Sequence, residues 1–205
     1  MTVVIILGVE GLRREARKKQ IEAAIVEQAI ALFKKKGYDR VTVEEITNQS
    51  GIAKGTFFNY FRKKEDVLLH LANSHMELLS QIAETHQGKP VKERLAYIYR
   101  DLLKIYFQHA DLMRLTLVET LRASIGFKET ASNLSLFQGT LQTVIREAQQ
   151  NGELPSRWDA GMIASMVGGL FINALITGSS TMDEGQIFAL LCSQLEAVWE
   201  GVANA

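Results

Sequence analysis

The sequence predicts an all-α fold of about nine helices, a small N-terminal three-helix unit followed by a larger helical one. Three observations carry that expectation. Apolar residues recur at three- and four-residue spacing along most of the 205-residue chain. Only two prolines, Pro90 and Pro155, interrupt it, and no alternating run of β-branched residues stands between turn signals. Two S/T-x-x-E sequences, Thr42 to Glu45 and Thr181 to Glu184, offer the reciprocal side-chain bonds that start a helix.

The elements follow in order. Residues 1–12 open with an apolar run, too short to span a membrane, and are expected to form a flexible tail. Arg13, Arg14, Arg17, Lys18 and Lys19 follow that run instead of preceding it, which is the wrong order for a secretory signal. A first helix is expected from about Arg14 to Lys36, with Ile21, Ile25, Ala29, Leu32 and Phe33 on one face and Gly37 ending it. Its leading cations oppose the helix dipole, which fits either a solvated, frayed terminus or contact with something anionic. A second helix from about Val43 to Gln49, the turn Ser50-Gly51-Ile52 and a third helix from about Ala53 to Tyr60 make a helix-turn-helix. Later helices are expected over Lys64 to Thr85, Pro90 to His109, Asp111 to Leu121, Ala131 to Gln150 and Trp158 to Thr177. The last starts at the Thr181 box and runs to about Val202, and Ala123 to Glu129 reads as a loop. The domains are therefore expected at 13–63 and 64–205.

Composition narrows the function classes. Apolar residues make up 47% and charged residues 22%, which suits a folded chain with a sizeable core. Net charge is zero, yet residues 1–70 hold 13 Lys and Arg against 9 Asp and Glu, so the basic excess sits in the first third. One cysteine, Cys192, excludes an internal disulfide and a cysteine-based zinc site, and agrees with a reducing cytoplasm. The four histidines, His70, His75, His86 and His109, lack metal-ligand spacing with carboxylates, and no nucleophile motif or phosphate loop appears. The expectation is no enzyme, no metal and no cofactor. Met162 to Ile176 is the most apolar stretch, but Ser165, Asn173 and nearby glycines fit a buried helix better than a membrane span.

Residues 37–68 carry the most specific pattern: Gly-Tyr-Asp-Arg-Val-Thr-Val-Glu-Glu-Ile, then Ser-Gly-Ile-Ala-Lys-Gly-Thr-Phe-Phe-Asn-Tyr-Phe, then Lys-Lys-Glu-Asp-Val-Leu. In residue type and spacing this resembles the DNA-binding signature of the TetR family of transcription regulators. The resemblance implies a ligand-responsive repressor, with a helix-turn-helix DNA-binding domain and a larger C-terminal domain for ligand binding and dimerisation. It implies DNA contacts from Arg17, Thr42, Ala53, Lys54, Gly55, Thr56, Phe58, Asn59, Tyr60 and Lys64. Physical reasons stand beside it. Gly55 leaves room for DNA backbone or base edges, and Lys54 and Thr56 supply a cation and a hydroxyl on the same short element. Thr42 and Lys64 sit at helix amino ends, where amides and dipole favour a phosphate. The sequence departs from the family at Ala53, Phe58 and Tyr60, where Ser or Thr, Tyr and His are usual. Ala53 cannot cap and Phe58 cannot donate a hydroxyl.

In the larger domain the resemblance implies that some of Tyr97, Tyr106, Met113, Leu117, Phe137, Leu141 and Met166 line a cavity, the others being core. Arg100 and Asn173 are candidates for orienting a guest, though exposure or helix-to-helix bonding would explain them as well. The eighth and ninth helices are apolar on more than one face and are expected to form a homodimer. The partners expected are double-stranded operator DNA with a pseudopalindromic sequence, a small apolar or amphipathic effector, and a second copy of the chain, with no membrane. The alternative is a DNA-binding protein whose larger domain answers to a protein partner. A closed apolar cavity would favour the effector, and a solid core with an exposed apolar patch the protein partner.

Overall fold

A helix continues until something interrupts its hydrogen bonding, and glycine and proline are the usual interruptions. The computed structural model describes residues 2–126, 133–178 and 180–203, and among these the chain forms nine α-helices and one 3-10 turn, with no strand. It divides into two units, Met1–Leu71 and Ala72–Ala205.

In the first unit α1 (Thr2–Lys36) ends in three lysines, which suit the carbonyl end of the dipole. Gly37 then turns the chain at φ 82°, its N–H donating to the Phe33 carbonyl at 2.9 Å. A 3-10 turn (Tyr38–Arg40) leads into α2 (Val43–Ser50). The Thr42 capping box forms as the spacing predicts: the Glu45 N–H donates to Thr42 Oγ1 at 3.2 Å, and the Thr42 N–H to Glu45 Oε2 at 2.9 Å. Lys36 Nζ donates to Glu45 Oε1 at 2.6 Å, and this bond and the Thr42 amide hold the Glu45 carboxyl below its usual pKa. Gly51 adopts φ 65° in the turn before α3 (Lys54–Phe58). Before α4 (Glu65–Thr85), the Asp66 carboxylate accepts the Arg62 and Lys63 amides at 2.9 and 3.3 Å. Ile25, Ala29, Ile46, Phe57, Phe61 and Val67 form the core of this unit.

The second unit holds α5 (Val91–Gln108), α6 (Ala110–Gly126), α7 (Asn133–Gln150), α8 (Ala160–Gly178) and α9 (Glu184–Ala203). α8 packs on both α7 and α9. A Cβ at Gly168 would stand 3.2 Å from Leu141 Cδ1 and 3.3 Å from the Phe137 ring, so the glycine is what lets α8 approach α7 so closely. Tyr99 is fully buried, donates its hydroxyl to the Val167 carbonyl at 2.6 Å and stacks on Phe171, and burial raises its pKa above the ordinary phenol value. The buried Arg94 ties three helices, donating from Nε and Nη2 to the Ala83 carbonyl and from Nη1 to Glu147 at 2.6 Å. α8 is long and apolar enough to cross a membrane by length and composition alone, but nine of its residues are buried, Ile163, Val167 and Phe171 among them.

Several expected boundaries are corrected. Helix α1 begins at Thr2, so the stretch expected as a flexible tail is helical from its second residue. No proline breaks it, and Gly8 and Gly11 cost only about 1 kcal/mol each against alanine, too little to end a helix whose every further turn adds bonds. Helix α6 runs five residues past Leu121, through half of the expected loop, because no glycine or proline stands within it before Gly126. Residues 127–129 of that loop and 131–132 of the next expected helix lie outside the described residues. Helix α3 is shorter than expected, since the amides of Asn59 and Tyr60 bond three residues back, to Thr56 and Phe57, and tighten the end. The cap of α9 is Asp183 and not Thr181: the Gln186 N–H donates to Asp183 Oδ1 at 2.8 Å, and the Asp183 N–H to Gln186 Oε1 at 3.0 Å. Thr181 bonds weakly instead to the Gly178 carbonyl at 3.5 Å.

Candidate functional site

Two places in the molecule are candidates for a functional site. The first is the outer side of the helix-turn-helix. Phe57 is fully buried and Phe61 nearly so, and on a helix this turns their neighbours outward. Ala53, Lys54, Gly55 and Asn59 are exposed, Thr56 and Tyr60 half-buried, and Phe58 is 48% exposed, its ring edge-on to Phe57. A Cβ on Gly55 would meet nothing within 4 Å, and its backbone lies outside the left-handed region. Nothing in the fold therefore requires glycine there.

Thr42 is exposed at the start of α2 while holding its capping box. Lys64 differs from the solvated lysine that its sequence position allows. Its Nζ donates to the carbonyls of Tyr38 and Val41 at 2.9 and 3.1 Å and stands 4.2 Å from the centre of the Tyr38 ring. One of its three donors remains to meet an anion. Beside it, burial pushes the Glu65 carboxyl up, but a bond from its own backbone amide, the Tyr38 hydroxyl and the charges of Lys63 and Lys64 outweigh that and leave it below its usual pKa. Arg17 belongs to an exposed stretch of α1 with Arg13, Arg14, Lys18 and Lys19, and none of the five forms an ion pair among the described residues.

The second place is a cavity of about 110 Å³ in the second unit, walled by α5, α6, α7 and α8 with Ala72 of α4. Its lining is almost wholly apolar. Of the nine cavity candidates, Tyr106, Met113, Leu117 and Phe137 line it. The other five do not. Leu141 is fully buried against Gly168, and Met166 and Asn173 are exposed on α8. Tyr97 stacks on His86 at 4.9 Å, and the Arg100 guanidinium lies 4.6 Å over Phe188 of α9, both on the far side of α5 from the cavity. The periodicity of α5 makes both sides look usable; only packing decides which one faces α6. Sequence reasoning missed Leu102, Thr116, Asn133 and Leu175. Spacing from Tyr106 and Phe137 would have pointed to Leu102 and Asn133, each four residues earlier on its helix. Among the described residues no three His, Cys, Asp or Glu side chains group as metal ligands.

Residues 25–71, the helix-turn-helix and its flanks, match the family model described as bacterial regulatory proteins, tetR family. Over 194 residues the chain is 24% identical to the fatty acid metabolism regulator protein of Bacillus subtilis, covering 93% of this chain and 99% of that one. Among solved structures it resembles the Thermus thermophilus FadR, a TetR-family transcriptional repressor in complex with lauroyl-CoA, with TM-score 0.71 and 21% identity over 88% of this chain and 94% of the other. It also resembles the Bacillus subtilis regulator FadR in complex with stearoyl-CoA, with TM-score 0.65 and 25% identity over 88% and 98%.

Proposed function

We propose, from the premise that this chain belongs to the TetR family of bacterial regulatory proteins, that it is a cytoplasmic homodimeric repressor which an amphipathic acyl compound releases from a pseudopalindromic operator. It is a DNA-binding transcription regulator with a helix-turn-helix. The observation that carries the effector reading is the apolar cavity walled by four helices of the second unit, in a chain whose relatives of similar length include FadR regulators solved with lauroyl-CoA and stearoyl-CoA. An apolar wall selects an alkyl body by removing it from water, at about 25 cal/mol per Å² buried.

For DNA, the reading is that α3 enters the major groove, with Lys54, Gly55 and Thr56 nearest the bases, while Arg17, Thr42 and Lys64 meet phosphates. Two heads related by a twofold axis would read half-sites about 34 Å apart, or a multiple of that. For the dimer, support comes from two exposed stripes. On α8 Met162, Met166 and Ile176 are 44%, 44% and 58% exposed, and α9 exposes Ala189, Ser193 and Ala197 at four-residue spacing. Small residues let helix backbones approach closely, and the methionines and isoleucine supply apolar area. Release requires that the effector bind more tightly to a dimer whose heads no longer match the operator than to one whose heads do.

The test begins with an operator selected from a random duplex pool by the purified protein. Lauroyl-CoA titrated into the labelled complex should free the DNA at concentrations near its own dissociation constant. Binding of lauroyl-CoA without any loss of DNA affinity would overturn the reading. The protein-partner alternative draws on Val118, Ile125 and Leu136, which are 40%, 89% and 44% exposed on α6 and α7. It predicts that no acyl-CoA of any chain length releases the DNA.

A further inference from the structure

Helix α5 buries two tyrosines on one face, Tyr99 and Tyr106, seven residues apart. Tyr99 shows what a structural tyrosine does here: it is fully buried, and its hydroxyl is bonded to the Val167 carbonyl at 2.6 Å. Tyr106 is only 3% exposed, yet its hydroxyl has no hydrogen-bond partner among the described residues. A buried hydroxyl without a partner loses its hydration and gains nothing in return, and folded proteins rarely keep one without a reason. A phenylalanine would fill the same space without that loss.

Tyr106 also lines the apolar cavity, and its hydroxyl bonds to none of the polar residues of that wall, Thr116, Thr120 and Asn133. Its chain neighbour Phe107 meets it ring to ring, and within the wall Thr116 donates its own hydroxyl to the Leu112 carbonyl while Leu102, Met113 and Phe137 are apolar. The missing partner is an acceptor that arrives with a guest. We infer that Tyr106 is a specificity residue whose hydroxyl donates to a carbonyl oxygen of the effector, so that the site selects acyl compounds over alkyl compounds of equal length. This rests on the reading that the cavity is the effector site. A guest with a carbonyl at the head of an alkyl chain satisfies both the apolar surface of the wall and the Tyr106 hydroxyl.

Two probes separate the carbonyl from the chain: lauroyl-CoA, a thioester, and S-dodecyl-CoA, the thioether that lacks the carbonyl oxygen. Isothermal titration of each into the native protein and into Tyr106→Phe completes a double-mutant cycle. The native protein should prefer lauroyl-CoA about five- to tenfold, the size of one neutral hydrogen bond. Tyr106→Phe should lose that preference and bind S-dodecyl-CoA at least as well as the native protein does. Without ligand its thermal midpoint should equal or exceed the native one, because the change removes an unpaired group and keeps the ring. An equal preference for lauroyl-CoA in both proteins, no preference in the native protein, or a lower midpoint in the ligand-free variant would overturn the inference. Failure of both probes to bind the native protein would instead remove the effector reading, and the inference with it.

Discussion

Gly55 and Lys64, both in the first unit, are held in very different ways. Gly55 is exposed, with open space where a Cβ would stand and a backbone that any residue can adopt. Gly55→Leu should leave thermal stability unchanged or raise it by up to about 1 kcal/mol through helix propensity. It should also weaken operator binding at least tenfold, because the side chain would occupy the space the groove needs; unchanged affinity in a gel-shift titration would place the groove elsewhere. Lys64 holds two carbonyls, so Lys64→Ala should lower the unfolding free energy by about 1–2 kcal/mol as well as weaken DNA binding. Lys54 is exposed and forms no ion pair among the described residues, so Lys54→Ala should spare stability and cost about 1–3 kcal/mol at one base position per half-site. The Thr42–Glu45 box was legible in sequence because both partners lie within one helical turn. The Lys64 contacts were not, because Tyr38 and Val41 lie 26 and 23 residues away and only the folded unit brings them together.

Among the elements, α8 and α9 were readable as doubly apolar helices, but not which face turns inward. Ile187, Leu191 and Leu195 of α9 are all core, so the outward face is the one carrying Ala189, Ser193 and Ala197. Leu195→Glu should therefore unfold the second unit, since it buries a charge without a partner. Ala189→Glu should instead leave helicity intact and convert a dimer of about twice the 22.9 kDa chain into a monomer by light scattering. A stable Ala189→Glu dimer would move the interface to another face. The end of α4 is joined to α5 by His86 Nε2 and Asp101 Oδ2 at 2.8 Å. Partial burial pushes the Asp101 carboxyl up, but the bonds from His86 and Lys104 outweigh it, and its pKa falls below the ordinary 3.8. A lowered carboxyl stabilises the fold above its unfolded pKa and loses that contribution as pH falls through the folded value. Asp101→Asn should thus be less stable than the native protein in urea at pH 7, and the gap should close as pH falls below about 3.8. A gap that does not change at all as pH falls would show that the carboxylate charge contributes nothing. This pair was invisible in sequence, since fifteen residues and a Gly-Lys-Pro turn separate its members.

At the scale of the whole molecule, the sequence carried the reading head far better than the cavity. A DNA-reading unit is built from short-range patterns, capping boxes, glycine turns and three-residue spacing, and each leaves a local signature. A cavity exists because several helices fail to fill the space between them, and no window of sequence records that. An effector that releases operator makes one protein hold DNA and an acyl guest at mutual expense. Linkage makes this symmetric: whatever factor lauroyl-CoA takes from operator affinity, operator must take from lauroyl-CoA affinity. The direct measurement is therefore the dissociation constant of lauroyl-CoA with and without saturating operator, set beside that of operator with and without saturating lauroyl-CoA. Both should weaken by the same factor, between about fivefold and 150-fold. Tight binding of both at once, with neither constant changed, would contradict it.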